Sequence, residues 1–277
     1  MAADKFTVQS FRAAKADKRP ISMLTAYDYT TACLLDEAGV DSILVGDSLG
    51  MVMLGYENTL RVTMDEMIHH TRAVARGTRK ALLIGDMPFL SYHVSVEEAV
   101  RNAGRFIQEG GAEAVKLEGG AAVVEKVRAI VKAQIPVLGH LGLTPQSVNV
   151  FGGFKVQGKD VAAARNLLDD ALLLQDAGAF GIVLECVPDA LAGLIRQRLD
   201  IPTIGIGAGP DCDGQVLVIQ DLLGLYRRMR PKFVKTYADL GDAAVAAVKN
   251  YVQEVAQGQF PAAEHSFHMD AQLLEQL

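Results

Sequence analysis

Tryptophan is absent from these 277 residues, cysteine occurs only three times, and no apolar run approaches the roughly 18 residues that a membrane-crossing helix needs. The opening MAADKFTVQS lacks the apolar centre of a secretory signal, so a cytoplasmic location with no membrane partner is expected. Cys33, Cys186 and Cys212 are odd in number, far apart and not arranged as Cys-x-x-Cys, which argues against a disulfide framework and a thiolate zinc site. They are expected to be small buried side chains. A basic stripe is also missing. The 27 Lys and Arg residues are scattered and the formal charge is −6, which leaves nucleic acid a poor candidate partner. The one small basic cluster, Lys15, Lys18 and Arg19, reads as a solvated loop.

What the chain does contain is aliphatic. Half of its residues are hydrophobic, enough for one large core. Eight apolar runs recur, each closing on polar or Gly residues: ISMLTAYD from Ile21, SILVGDS from Ser42, ALLIGDMPF from Ala81, AVKLEG from Ala114, PVLGHLG from Pro136, GIVLECV from Gly181, PTIGIGAG from Pro202 and FVKTY from Phe233. Near-continuous apolar runs mark strands covered on both faces, as in a parallel sheet. Between them, 64–80, 95–109, 121–134 and 160–177 carry helical periodicity, with Ser95 as an N-cap before Glu97 and Glu98 and with Gly39, Gly110 and Gly178 as stops. Eight strand–helix units of about 35 residues fit a single (β/α)8 TIM barrel over 1–277, with a C-terminal tail from about 258. A doubly wound open sheet is the rival. The connections 51–63 and 143–159 are long and Gly-rich, and both follow strand C-terminal ends, where a barrel builds its active site.

Asp47, Asp86, Glu118 and Glu185 each sit at or near the end of an apolar run, where an unpaired carboxylate is costly. Their separations are 39, 32 and 67 residues, close to one, one and two strand–helix units, so they recur at one height and converge on one rim. Lys116 and Glu118, two apart on a strand, face the same way. His140 falls near them, either in the site or as a satisfied structural histidine. Oxygen ligands without Cys or suitably spaced His favour a hard ion such as Mg²⁺. Adjacent His69 and His70 diverge on a helix and suit a surface or partner-facing role. Taken singly, Asp47 and Asp86 read more readily as helix caps or turn formers; it is the combination with Lys116-x-Glu118 that favours a site. Gly205-Ile-Gly-Ala-Gly209 is not a dinucleotide loop and reads as tight backbone at a strand end.

The strings LVGDSLGMVMLGY, GDMPFLSY, VKLEGG, GHLGLTPQ, FGGFKVQGK, LECVP and IGIGAGP, in that order, closely resemble the ketopantoate hydroxymethyltransferase family. The resemblance implies a barrel of the phosphoenolpyruvate/pyruvate type that moves a one-carbon unit from 5,10-methylenetetrahydrofolate to 3-methyl-2-oxobutanoate with Mg²⁺, in pantothenate and coenzyme A biosynthesis. It implies Asp47 and Asp86 as metal ligands, with Glu118 the third acidic group around the ion, bound directly or through water. Ser48 and Lys116 correspond to groups contacting the oxo acid, together with Asp47 and Asp86, and Glu185 to the proton acceptor. A homo-oligomer, decameric in the family, is implied as well.

The chemistry is consistent with those residues. Removing the C3 proton of a 2-oxo acid requires an electron sink at the oxo group, which a Lewis-acidic metal supports and the Lys116 ammonium reinforces. Glu185, outside the metal set, stays free to act as base. The rival is a C–C or P–C lyase of the isocitrate lyase/phosphoenolpyruvate mutase kind, but its customary Cys-bearing loop is missing after the Glu118 run. A barrel serving only as a binding scaffold would leave inward carboxylates and a lysine without purpose.

Overall fold

The computed structural model describes residues 5–153 and 155–277, so Met1–Asp4 and Phe154 of the FGGFKVQGK string lie outside the described residues. Eight strands form a closed parallel barrel in sequence order: β1 (Ile21–Thr25), β2 (Ser42–Val45), β3 (Leu82–Asp86), β4 (Ala114–Glu118), β5 (Val137–Gly142), β6 (Gly181–Glu185), β7 (Thr203–Ile206) and β8 (Gly214–Leu217). β8 closes the ring by pairing with β1 on one side and β7 on the other. The barrel expected from the sequence is present, and the open-sheet rival is excluded.

One strand differs from expectation. The run FVKTY from Phe233 is not a strand. Pro231 starts a turn there, closed by the Val234 N–H donating to the Pro231 carbonyl, and the Phe233 ring lies against Gly207 at the end of β7. The eighth strand is instead Gly-Gln-Val-Leu, only seven residues after β7 and with no helix between them.

Side-chain alternation assembles the interior. Met23, Leu44, Leu82, Ile84, Ala114, Leu138, Val183, Ile204 and Val216 form one buried cluster, plugged by Phe11 and Phe180, whose rings meet edge to face at 5.1 Å. Phe11 is carried by the helix Val8–Ala16, capped by Thr7. Each of the larger of these side chains contributes about 1.5–3 kcal/mol through its burial. The same inward register, two residues on, delivers Asp86, Lys116, His140 and Glu185 above this apolar floor, so the chemistry sits at the strand C-terminal ends.

The outer helices obey their local signals. Thr63 and Glu66 make a capping box on Met64–Gly77, Ser95 accepts from the Glu98 N–H to cap Val96–Arg105, and Asp160 caps Val161–Asp176. Gly39 ends Tyr29–Ala38 in the left-handed conformation. The stop expected at Gly110 falls one residue later, at Gly111, because Phe106–Gly110 winds as a π-turn and absorbs an extra residue. Lys15 and Arg19 are not merely solvated: Lys15 pairs with buried Asp213 at 3.0 Å beside Arg196, and Arg19 pairs with Asp41 at 2.9 Å. All three cysteines are half-buried, where burial was expected.

The chain divides into two compact units, one comprising residues up to Ile219 with 231–234 and the other 220–230 with 235–277. In the second, the helix Leu240–Ala256 is preceded by a turn at Gly224 and tied by the Arg227–Asp242 ion pair, and the segment after Gly258 contains two short helical turns, Ala263–His265 and Ala271–Leu274. No helix among the described residues is long and apolar enough to cross a membrane.

Candidate active site

Four strand ends and the turn after β2 bring the predicted residues together. Asp47 stands on the turn between β2 and the short helix Leu49–Val52, and its backbone N–H donates to Asp86 Oδ2 at 3.2 Å. Asp86 ends β3, and its Oδ1 accepts from Lys116 Nζ at 2.6 Å. Lys116 lies 3.7 Å from Glu118 Oε1. His140, paired across the ladder with Glu118, stands between two carboxylates, 3.4 Å from Glu118 through Nδ1 and 3.3 Å from Glu185 through Nε2. Neither contact is a formed hydrogen bond, and Glu118 Oε1 likewise has none. Ser48 sits beside Asp47 with its hydroxyl 2.8 Å from the phenol of buried Tyr27.

Asp47, Asp86, Lys116, Glu118 and His140 are all buried, with no more than 4% of any exposed, and Glu185 is half-buried. The interior therefore sets their proton affinities. Burial pushes the Asp47 carboxyl well above its usual range, and repulsion from Asp86 and Glu118 adds to the shift. Burial raises Asp86 too, although Lys116 draws it back. Lys116 is held cationic, since the three carboxylates outweigh the burial that disfavours its charge. Glu118 ends below its ordinary value because His140, Lys116 and the Gln146 N–H outweigh burial. For His140, burial and Lys116 act downward, but Glu118 and Glu185 prevail and push it up to about 9.

This cluster holds three buried carboxylates against one ammonium and one imidazolium, and that imbalance fits a divalent cation. Asp47 and Asp86 carry the strain of unneutralised charge, and Glu118 Oε1 has no hydrogen bond. Oxygen-only donors suit a hard ion. Among the described residues, no group of three or more His, Cys, Asp or Glu side chains is drawn up tightly enough to hold a metal. Asp47 and Asp86 are the pair that could hold one, with Glu118 further round the rim among its partners on β5 and the loop that follows it.

Three residues that sequence reasoning did not single out complete the site. Gln146, in the 3₁₀ turn Pro145–Ser147 after β5, donates from Nε2 to Asp47 Oδ2 and to the Met87 carbonyl, each at 2.9 Å, and from its backbone N–H to Glu118 Oε2 at 3.0 Å. Tyr92 donates its hydroxyl to Gln146 Oε1 at 2.7 Å. Tyr27 holds Ser48. All three lie in loop or strand-end segments, where no periodicity distinguishes a site residue from a turn residue. Adjacent His69 and His70, expected to diverge toward the surface, keep their rings in edge contact at 5.4 Å; His69 is exposed, but His70 is half-buried with Nδ1 2.7 Å from the Tyr27 carbonyl. The glycines of Gly205–Gly209 turn the chain at the end of β7, with Gly207 and Gly209 both left-handed.

Residues 5–263 match the family model described as ketopantoate hydroxymethyltransferase. Among curated proteins, the 3-methyl-2-oxobutanoate hydroxymethyltransferase of Acetivibrio thermocellus is 61% identical over 274 residues, covering 99% of this chain and 97% of its own length. That of Clostridium novyi is 61% identical over 273 residues, covering 99% of both chains. Similar solved structures include phosphonopyruvate hydrolase, with a TM-score of 0.62 at 14% identity covering 97% of this chain and 94% of that one. Another is 2,3-dimethylmalate lyase, a PEP mutase/isocitrate lyase superfamily member, with a TM-score of 0.58 at 16% identity covering 97% of this chain and 93% of that one. At such identities the structures speak for the fold alone.

Proposed function

Because the chain belongs to the ketopantoate hydroxymethyltransferase family, we propose that it transfers a hydroxymethyl group from 5,10-methylenetetrahydrofolate to 3-methyl-2-oxobutanoate, giving 2-dehydropantoate for pantothenate and coenzyme A biosynthesis. The observation that carries the reading is the buried, carboxylate-rich rim closed by Lys116, a site built for a charged oxo acid and a cation. Asp47 and Asp86, with Glu118 as the third acidic group beside them, would hold Mg²⁺, which would supply Lewis-acid polarisation of the substrate's 2-oxo group. Lys116, held cationic, stabilises negative charge developing on the substrate oxygens, and the Ser48 hydroxyl, oriented by Tyr27, binds the same end of the molecule.

Glu185 stands apart from the Asp47–Asp86–Lys116 group, with His140 as its partner, and takes the C3 proton. His140, protonated, returns positive charge to the side of the site where that proton arrives. The carbanion electrons at C3 form the new bond to the one-carbon unit, the unit's two bonds to the folate nitrogens break, water supplies the hydroxyl oxygen, and the C3 proton and one water proton go to those nitrogens to release tetrahydrofolate. Burial of Lys116 and the two aspartates on an apolar floor keeps bulk water from quenching the carbanion.

The rival lyase reading has less support, because proteins near 60% identity over almost the whole chain are transferases, whereas the lyase named above shares 16%. Residues 1–277 are proposed to work as one catalytic barrel with a C-terminal extension, in the cytoplasm and as a decamer. The helix Leu240–Ala256 exposes Val248 at 61% and Val252 at 59%, an apolar face that a further copy would cover. Purified protein should form 2-dehydropantoate from the two substrates only with Mg²⁺, and sedimentation should return a mass near ten chains. Product formed equally well in excess chelator would overturn the metal assignment, and failure to form product would overturn the reading.

A further inference from the structure

We propose that Gln146 is a positioning residue that locks Asp47 and Glu118 into one arrangement, so that each keeps one oxygen tied and the other free for the ion and substrate. The inference rests on the function proposed above. Among the described residues, Gln146 is the one that bonds to two of the cluster's carboxylates from outside the strands. Its side chain takes Asp47 Oδ2 and its backbone N–H takes Glu118 Oε2, although those carboxylates stand on the turn after β2 and at the end of β4, two strands that are not adjacent in the barrel.

The amide has a single allowed orientation. Both Nε2 protons are used, one on Asp47 and one on the Met87 carbonyl, and Oε1 accepts from Tyr92. Rotating the amide by half a turn would give up both donated bonds and set its oxygen against the Asp47 carboxylate and the Met87 carbonyl in a buried site, whereas the Tyr92 hydroxyl would only exchange donating for accepting. The Tyr92 hydroxyl also accepts from the Glu118 N–H at 3.2 Å, and of the two acceptors its proton faces, Gln146 Oε1 at 2.7 Å is closer than the Glu118 carbonyl at 3.3 Å. A chain of fixed donors thus runs from the β4 backbone through Tyr92 and Gln146 to Asp47. Groups that orient metal ligands in this way are worth roughly 10–100-fold in metal affinity or activity.

Two variants test this. Gln146→Met keeps the length and apolar bulk and the backbone N–H to Glu118 but removes the donors to Asp47. Tyr92→Phe leaves the Gln146 donors intact and removes the hydroxyl that holds its Oε1. Mg²⁺ and Mn²⁺ affinity is measured by titration calorimetry on metal-free enzyme, thermal midpoints are taken in parallel, and kcat and KM for the oxo acid are measured at saturating metal. Metal binding about 10-fold weaker or more in both variants is expected, with kcat falling more than KM rises and the midpoint of at least one variant within a few degrees of wild type. Metal affinity and kcat equal to wild type in either folded variant would overturn the inference, as would losses that track the fall in midpoint in both. Wild type that binds Mg²⁺ but forms no product would overturn the proposed function alone, since the affinity comparison still decides the role of Gln146.

Discussion

Lys116→Met removes the one ammonium in a buried cluster of three carboxylates while keeping the side chain's length. Lys116 is 3% exposed, bonds Asp86 at 2.6 Å and lies 3.7 Å from Glu118. Stripping one partner from a buried ion pair costs about 3–5 kcal/mol because the remaining charge is left uncompensated, and for a domain of this size that is roughly a 6–20 °C fall in thermal midpoint. The loss should depend on pH in a definite direction. Asp47 and Asp86 already sit above their ordinary values, and without Lys116 they rise further. A raised carboxyl contributes stability fully below its unfolded value near 4 and loses it as pH rises through the folded value. The variant should therefore be much less stable than wild type at pH 8 and recover part of the difference at pH 5.5. Calorimetric unfolding of metal-free protein at both pH values measures this, and Mg²⁺ should rescue the variant at pH 8 more than it stabilises wild type. A midpoint unchanged at pH 8, or a deficit as large at pH 5.5, would refute the charge-balance reasoning.

His140, pushed up to about 9, should give metal-free wild type a stability that is full below its ordinary value near 6.5 and falls as pH rises toward 9. His140→Asn should flatten denaturant midpoints across that window, and an undiminished slope would count against the Glu118–His140–Glu185 arrangement. Gly120→Ala should destabilise by about 1 kcal/mol, since a Cβ there displaces the Asp170 carboxylate from the Ala121 N–H that it caps; a urea midpoint within error of wild type would show that the cap contributes nothing.

Much of the fold was legible because parallel strands covered on both faces must be apolar throughout, as in Ile43–Val45 and Leu82–Ile84. β8 was not legible. It has four residues, begins with Gly214, exposes Gln215 and follows β7 without a helix, so neither run length nor rhythm marked it, while Phe233 and Val234 imitated a strand by being apolar for a different reason. The site's charged members were legible because Asp86, Lys116, Glu118 and Glu185 interrupt apolar runs where a charge is expensive. Gln146, Tyr92 and Tyr27 were not, because a neutral polar residue in a loop carries no such penalty, and its partners become visible only when the loops after β3 and β5 are folded over the barrel. Glu118 shows the limit of spacing arguments: strand register put it at the correct height, but its oxygens face Gln146, Lys116 and His140.

Hydrogen–deuterium exchange at C3 of 3-methyl-2-oxobutanoate, followed by NMR in D₂O without folate, tests the central claim most directly, because it isolates proton removal from one-carbon transfer. Wild type should exchange that proton only when Mg²⁺ is present, and Glu185→Gln should slow the exchange by about 10²–10⁴-fold while still binding the metal. Exchange that proceeds without Mg²⁺, or that survives undiminished in Glu185→Gln, would contradict a metal held by Asp47 and Asp86 working with Glu185 as the base.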